Sequence, residues 1–204
     1  MQYISRRQLL ASSGAILGAT AVNPFSSLTS SAIAAIDTQK NFDLVRADKN
    51  ENPYGPSRVA LQAINRAMNL TNRYGGGNRR NLVKLIAEQN GVASENVILG
   101  SGSGEILKLG GLIASWETGS VVCVDPTYQD LVRYASRVRS QIIRVPVDEN
   151  LACDLETVAS AIKKDTRMVY LVNPNNPIPN IINKNKLRDF VIEVSKNRLV
   201  FIDE

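Results

Sequence analysis

From residue 121 onward the sequence alternates short apolar runs with amphipathic stretches, and this alternation constrains the fold more than any other feature. The apolar runs have the length of buried strands, and the stretches between them repeat their apolar residues at helical spacing. The pattern predicts strands at Val121–Val124, Gln141–Val145, Met168–Val172 and Leu199–Ile202, and helices at Tyr128–Val138, Leu155–Ile162 (capped by Asp154) and Lys184–Ser195. Apolar strands separated by helices indicate an α/β fold with a mainly parallel sheet that is covered on both faces.

Two further helices are predicted upstream of this region. Ser57 is a suitable N-cap for the first, Arg73–Gly77 is expected to form a flexible turn that ends it, and Gly91 ends the second. Val97–Leu99 has the pattern of a short strand, and another helix follows it. The residues expected on the buried face of that helix are Ile106, Leu107, Gly110 and Ile113.

Between this strand and helix, residues 100–105 have the composition of an anion-binding turn. The glycines let the backbone take positive φ and approach a ligand closely, and the first N–H groups of the helix are unpaired at the positive end of its dipole. A phosphate is a natural ligand for such a turn. The segment matches neither of the two common glycine-rich nucleotide motifs, so by itself it does not separate a phosphate site from a turn that binds nothing.

The composition argues against several kinds of site. The chain has no histidine, so we expect no zinc-type metal centre and no Ser-His-Asp triad. The net charge of +5 comes from scattered Lys and Arg, with only 5% aromatic residues, which does not indicate nucleic-acid binding. Cys123 and Cys153 could pair in an oxidising compartment, but Cys123 lies in an apolar strand, so we favour two separate buried thiols.

Residues 1–34 have the pattern of an export signal. Arg6 and Arg7 precede the uncharged stretch Ala11–Val22, and Ala32–Ala34 fits a small-x-small cleavage site. We interpret this segment as a twin-arginine-type signal peptide, which predicts an exported, periplasmic protein; an amphipathic N-terminal helix or a retained anchor is the alternative. No segment reaches about 18 consecutive apolar residues, so we expect no stable membrane span.

Polar residues follow the predicted strands, at the edge where parallel sheets bind ligands. Tyr128 could stack on a flat heteroaromatic ring, the run Asn173–Pro177 could donate an amide hydrogen bond, and Asp203 could hold a protonated ring nitrogen. Each also has a plain structural interpretation, as a half-buried core ring, a turn and a helix cap. A phosphate-binding turn, a stacking ring, an amide donor and a carboxylate together describe one ligand, pyridoxal phosphate.

Six motifs in chain order carry a family resemblance. They are Asn50–Pro56, Arg73-Tyr74, Gly100–Glu105, Asp125–Tyr128, Asn173–Pro177 and Phe201–Glu204. The chain resembles the class I/II aminotransferases, and within them the histidinol-phosphate aminotransferase branch. The resemblance implies a fold-type I enzyme with a three-layer α/β/α large domain. Such an enzyme uses pyridoxal phosphate to move an amino group between an amino acid and a 2-oxo acid or related carbonyl.

The resemblance also implies which residues contact the cofactor. They are Ser103, Gly104 and Glu105 at its phosphate, Tyr128 on its ring face, Asn176 at its ring hydroxyl and Asp203 at its ring nitrogen. Tyr54 would reach the phosphate of a partner subunit, which implies a homodimer. The implied organisation is a signal peptide at 1–34, an N-terminal arm and first helix at 35–69, and the N-terminal part of the large domain at 70–204.

The sequence departs from the family in two places. Where the family usually continues its Asn-Pro turn with Thr-Gly, this chain has Ile178-Pro179-Asn180, so we expect a reshaped turn around Asn176. The printed sequence ends at Glu204, and no upstream lysine occupies the Schiff-base position. We therefore expect these 204 residues to hold no catalytic residue and no small C-terminal domain, and not to transaminate alone. A non-catalytic remnant and a generic phosphate-binding α/β module are the alternatives.

Overall fold

The structure is a computed structural model that describes residues 49–204. The proposed signal peptide and the first part of the proposed arm lie outside the described residues. The chain divides after Arg73 into two compact units, and each is described by itself.

The first unit contains a turn and a helix. Asn52 forms the turn, because its Oδ1 accepts a hydrogen bond from the Tyr54 N–H at 3.0 Å. Helix α1 spans Arg58–Ala67 and continues into a short 3-10 turn at Met68–Leu70. The Ser57 hydroxyl accepts a hydrogen bond from the Ala60 N–H at 3.2 Å, so the predicted N-cap is confirmed.

The second unit alternates helices and strands. In chain order they are α2 (Gly76–Asn90), a 3-10 turn (Ser94–Asn96), α3 (Ser103–Ala114), β1 (Ser120–Asp125), α4 (Asp130–Arg137), β2 (Gln141–Pro146), α5 (Leu155–Ser160), β3 (Thr166–Val172), α6 (Lys184–Val194) and β4 (Leu199–Asp203). All four strands that the sequence pattern predicts after residue 120 are present, with their bounds shifted by at most two residues. Asp154 caps α5 as predicted, since its carboxylate accepts hydrogen bonds from the Glu156 and Thr157 N–H groups.

The four strands form one parallel sheet in the order β2-β1-β3-β4. β1 and β3 lie in the middle and are almost completely buried, as the continuous apolar runs predict. Alternate residues of these strands feed two separate cores. One core contains Val121, Cys123, Met168 and Tyr170 with residues of α3 and α4, and the other contains Val122, Val124, Val169 and Leu171 with residues of α5 and α6. The predicted three-layer α/β/α arrangement is therefore confirmed.

Two predictions about the region upstream of the sheet are wrong. Val97–Leu99 is not a strand, because within the described residues this apolar run has no neighbouring strand to pair with. The Gly75–Gly77 run is not a flexible turn between helices, because Gly76 and Gly77 already belong to the first turn of α2. Gly91 does end α2 as predicted, with φ +64°.

The buried face of α3 also differs from the prediction at one position. Ile113 is 58% exposed, whereas Gly111 and Ala114 are buried. A Cβ at Gly111 would lie 3.0 Å from the Leu131 carbonyl oxygen, so α3 and α4 approach closely along this glycine. The close contact between the two helix backbones therefore decides which face of α3 is buried. The hydrophobicity of the side chains does not indicate this contact.

The two thiols are separate. Cys123 is fully buried in β1 and Cys153 is partly buried in the loop before α5, and both are free. Burial raises the pKa of each thiol to about 11. The prediction of two separate thiols is confirmed.

Candidate functional site

The carboxyl ends of β1, β3 and β4 lie side by side because the strands are parallel neighbours. Val172 at the end of β3 lies opposite Asp203 at the end of β4, and the Asn173 N–H donates a hydrogen bond to the Asp203 carbonyl at 2.9 Å. The segments that carry Tyr128, Asn176 and Asp203 therefore leave the sheet at the same edge, as the sequence predicts for these three residues.

Asp203 presents a partly buried carboxylate at this edge. Its Oδ2 accepts a hydrogen bond from the Tyr170 hydroxyl at 3.3 Å. Burial raises the pKa of Asp203, and the charge of Asp130 acts in the same direction, while the Tyr170 hydrogen bond opposes them. The surroundings of Asp203 therefore favour its neutral form over its charged form more than water does.

Tyr128 lies close enough to Asp203 to respond to its charge. The ring is 36% exposed, and its hydroxyl donates a hydrogen bond to Asp130 Oδ2 at 3.2 Å. Partial burial and the Asp130 carboxylate raise the pKa of Tyr128, and the charge of Asp203 adds to the effect. An aromatic ring and a carboxylate thus stand near each other with part of the ring accessible.

Asn175 connects the loops that follow β1 and β3. Its Oδ1 accepts a hydrogen bond from the buried Thr127 hydroxyl at 2.9 Å, and its Nδ2 donates to the Pro126 carbonyl at 2.9 Å. The neighbouring residue Asn176, which the sequence nominates for the site, is partly buried in the same turn. We refer to Thr127, Tyr128, Tyr170, Asn175 and Asp203 as the strand-end cluster.

Asn180 closes the turn in which the sequence departs from the pattern of the family that it resembles. Its carbonyl accepts a hydrogen bond from the Asn175 N–H at 3.2 Å, and its Nδ2 donates to the Leu151 carbonyl at 2.8 Å. The unusual residues after Asn176 therefore anchor the turn to the loop that precedes α5.

The glycine turn, residues 100–105, has a local conformation suited to an anion. Gly102 has φ +88° and directly precedes α3, whose N-terminus has no side-chain cap. The N–H groups of Ser103 and Gly104 therefore lack a capping side chain. The Glu105 carboxylate folds back and accepts a hydrogen bond from the Ser101 N–H, while the Glu105 N–H donates to the Gly102 carbonyl at 3.3 Å. Glu105 thus holds the shape of the turn.

Cationic side chains flank the glycine turn on two sides. Arg79 of α2 donates a hydrogen bond to the Leu99 carbonyl at 3.0 Å and lines a cavity of about 370 Å³ beside Gly100 and Ser101. Lys108 lines a second cavity of about 350 Å³ on the side of Gly104. Both side chains favour binding of an anion at the turn.

Helix α3 connects the glycine turn to the strand-end cluster. A Cβ at Gly110 would lie 2.7 Å from Phe201 Cε2 and 3.1 Å from Leu131 Cδ1. The helix that begins at the turn therefore packs directly against β4, two residues before Asp203.

Tyr54 lies in the first unit and is 92% exposed. Its predicted contact with a partner subunit stays a prediction. Among residues 49–204, no helix combines the length and apolar character needed to cross a membrane.

Sequence reasoning missed four residues of this region, namely Thr127, Tyr170, Asn175 and Arg79. Thr127 and Asn175 lie inside motifs that the sequence analysis identifies as parts of the site. Their position next to Tyr128 and Asn176 could therefore have indicated them. Tyr170 is a polar-tipped ring in an otherwise aliphatic strand, which is a weaker signal. Nothing in the sequence marks Arg79.

Solved structures that resemble this fold include several histidinol-phosphate aminotransferases. The histidinol-phosphate aminotransferase from Sinorhizobium meliloti, solved in complex with pyridoxal-5'-phosphate, superposes with a TM-score of 0.68 at 25% identity, over 76% of this chain and 42% of that chain. The histidinol-phosphate aminotransferase from Clostridium acetobutylicum superposes with a TM-score of 0.67 at 27% identity, over 79% of this chain and 47% of that chain. The fold is therefore that of the large domain of a fold-type I transferase.

The model of the family "Aminotransferase class I and II" matches residues 43–204, so the chain belongs to this family. The histidinol-phosphate aminotransferase of Moorella thermoacetica is 36% identical over 162 residues, which is 79% of this chain and 42% of that protein. The histidinol-phosphate aminotransferase of Limosilactobacillus fermentum is 33% identical over 164 residues, which is 79% of this chain and 45% of that protein. The chain thus spans less than half the length of these relatives.

Proposed function

We propose that this chain forms the N-terminal part of the cofactor-binding domain of a pyridoxal-phosphate-dependent aminotransferase. The observation that carries the proposal is the partly buried Asp203 carboxylate beside the accessible ring of Tyr128. The proposed reaction of the whole protein transfers an amino group between an amino acid and a 2-oxo acid or related carbonyl. The names of its relatives support the histidinol-phosphate aminotransferase branch.

The residues present fit pyridoxal phosphate. The Asp203 Oδ2 is engaged by Tyr170, which leaves Oδ1 as the acceptor for a protonated ring nitrogen. A Cβ at Gly104 would meet no atom within 4 Å, so the space at the start of α3 is open. The first turn of α3 also has no side-chain cap that would compete with a phosphate.

When bound, pyridoxal phosphate supplies a ring that withdraws electrons from the reacting carbon of the substrate. The N–H groups of Ser103 and Gly104 would hold its phosphate, with Arg79 and Lys108 contributing positive charge nearby. Tyr128 would pack on the ring face, and the Asn176 amide would donate to the ring hydroxyl oxygen. Asp203 would keep the ring nitrogen protonated, because a carboxylate stabilises a cation next to it.

Two further parts of the proposal concern assembly and export. Tyr54, which is 92% exposed, is proposed to contact the cofactor phosphate of a partner subunit in a homodimer. Residues 1–34 are proposed to direct export to the periplasm. A reporter fused to this segment tests the second part: it should reach the periplasm, and replacing Arg6 and Arg7 by Lys should retain it in the cytoplasm.

Ligand binding tests the proposed cofactor site. The probe is 4'-deoxypyridoxine 5'-phosphate, which has the ring and the phosphate but no reactive aldehyde, measured by calorimetry beside inorganic phosphate. We expect the probe to bind the 204-residue chain more tightly than inorganic phosphate does. Asp203→Asn should weaken the probe about tenfold or more, because a charge-assisted hydrogen bond is lost, and leave inorganic phosphate unchanged.

The matched control is Asp189→Asn, an exposed carboxylate on α6. It should leave both affinities unchanged. Equal affinities of the wild-type chain for the probe and for inorganic phosphate would contradict the proposal and favour a generic phosphate-binding module.

A further inference from the structure

Tyr170 is buried in β3 at a position where only its hydroxyl reaches the site. The side chain is 0% exposed, and its ring packs edge-on against Phe201 with ring centroids 6.0 Å apart at an interplanar angle of 64°. Phenylalanine would make the same packing contacts. The hydroxyl therefore needs its own explanation, because a buried phenol is stable only with a hydrogen-bond partner.

The sheet register makes Asp203 that partner. Tyr170 lies opposite Phe201 in the parallel pair, so Asp203, two residues further along β4, is a diagonal neighbour on the same face. Long side chains can reach each other across such a diagonal, and the Tyr170 hydroxyl donates to Asp203 Oδ2 at 3.3 Å. The bond runs from the core of the sheet outward to the carboxylate at its edge.

The surroundings of Asp203 otherwise oppose its charge. Tyr170 of β3 donates a hydrogen bond to it, the charge of Asp130 at the start of α4 acts on it, and the Tyr128 hydroxyl lies near enough to respond to its charge. Burial and Asp130 raise the pKa of Asp203, and the hydrogen bond from Tyr170 is the contribution that lowers it. Without the hydroxyl, the carboxylate would lose this hydrogen bond and the restraint that it places on the carboxylate's orientation.

We propose that Tyr170 is a positioning residue that fixes the Asp203 carboxylate through Oδ2, so that Oδ1 is presented to the protonated ring nitrogen of the cofactor. This inference rests on the proposed function for the identity of the ligand. Tyr170 packs in the core and donates its hydroxyl to Asp203, so it would act on the ring through that carboxylate.

Tyr170→Phe tests the inference, because it removes the hydroxyl and keeps the ring. Carboxyl ¹³C NMR of the ligand-free chain should show Asp203 titrating at higher pH in the variant than in the wild type, since a hydrogen bond to the ionised form is lost. The affinity for 4'-deoxypyridoxine 5'-phosphate should fall about threefold to tenfold, and the bound ring nitrogen, followed by absorbance, should lose its proton at lower pH. Ser160→Ala is the control, because it removes an exposed hydroxyl from α5, which packs on the other face of the sheet, and it should change none of these.

Two outcomes are distinguishable. If the wild-type chain binds the probe and Asp203 titrates identically in wild type and Tyr170→Phe, the inference is wrong and the proposed function stands. If the wild-type chain does not bind the probe, the proposed function fails and Tyr170 is no more than a core residue.

A second measurement keeps the inference falsifiable if Tyr170→Phe does not fold. Burial and the Asp203 carboxylate raise the pKa of the Tyr170 hydroxyl far above its ordinary value. In Asp203→Asn the phenol also loses its charged acceptor, so the near-ultraviolet absorption of the buried tyrosine should differ from that of the wild type at neutral pH. An unchanged spectrum would overturn the link between the two side chains.

Discussion

The strand-end cluster and the glycine turn are two halves of one candidate site, but they are held by different kinds of contact. The cluster is joined by hydrogen bonds between residues far apart in sequence, such as Thr127 with Asn175 and Tyr170 with Asp203. The turn is held mainly by a bond between Ser101 and Glu105, four residues apart. The cluster therefore depends on the assembled sheet, whereas the turn depends on local backbone conformation.

This difference separates the effects of mutations in the two regions. Loss of the Thr127–Asn175 hydrogen bond, or of the packing of α3 on β4, should lower the stability of the whole second unit. Changes in the turn should act mostly on anion binding. The following predictions test this division, from the largest expected effect to the smallest.

Gly110→Val should have the largest effect, because it pushes α3 away from β4. An added Cβ would lie 2.7 Å from the Phe201 ring, and overpacking of this kind costs about 2–3 kcal/mol of unfolding free energy. Urea unfolding followed by circular dichroism measures the loss. Gly77→Ala is the control, because its Cβ meets no atom within 4 Å and it should be neutral or slightly stabilising. Equal stabilities of the two variants would show that α3 does not pack on β4 as described.

Asn175→Ala should lower the unfolding free energy by about 2 kcal/mol, because two hydrogen bonds are lost and the buried Thr127 hydroxyl loses its acceptor. Thermal melts of the variant and of Asn176→Ala make the comparison within one turn. Asn176→Ala should leave the melting temperature nearly unchanged and weaken binding of the cofactor analogue. If Asn176→Ala lowered the melting temperature and Asn175→Ala weakened only binding, Asn176 would be the structural amide and Asn175 the ligand-binding one.

Gly102→Ala should cost about 1–2 kcal/mol, because a side chain is strained at φ +88°. Its main effect should be on inorganic phosphate affinity, measured by calorimetry, since the turn loses its conformation. Gly104→Ala serves as the stability control, because it has open space around its Cβ. A Gly102→Ala chain that binds phosphate as tightly as the wild type would show that the turn is not the anion site.

Asp203→Asn should raise stability slightly, by less than about 1 kcal/mol, and only at neutral pH. The pKa of Asp203 is raised in the folded state, so folding favours the neutral carboxyl. The stability that this group contributes is present at low pH and is lost as pH rises through the shifted pKa. Asn mimics the neutral form, so denaturation curves of wild type and variant should converge as the pH is lowered. A destabilised variant at pH 7 would show that the charge of Asp203 supports the fold.

Most of the sheet could be predicted from the sequence because buried parallel strands leave a continuous apolar signal. The same apolar runs predicted that Tyr128 and Asp203 lie at one edge of the sheet, because the residues that end or follow parallel strands lie at the same edge. The side-chain links within the cluster could not be predicted. Periodicity tells which face of β3 carries Tyr170, but the diagonal contact with Asp203 depends on the strand order and register.

The wrong predictions for Val97–Leu99 and for Ile113 have physical reasons. Val97–Leu99 is apolar enough for a strand, but a strand exists only through its pairing, and the described residues provide no partner. Ile113 is more hydrophobic than Gly111, yet Gly111 is buried because it lets two helix backbones approach. In both cases the decisive interaction lies outside the segment whose pattern was being interpreted.

The strand order β2-β1-β3-β4 has a consequence for synthesis on the ribosome. Each strand, as it emerges, pairs with one that has already been made: β2 and β3 join β1, and β4 joins β3. The sheet can therefore grow vectorially during translation, without a strand waiting for a partner that is still to be synthesised. The hydrogen bond between Tyr170 and Asp203 would then form when β4 docks on the three strands already paired.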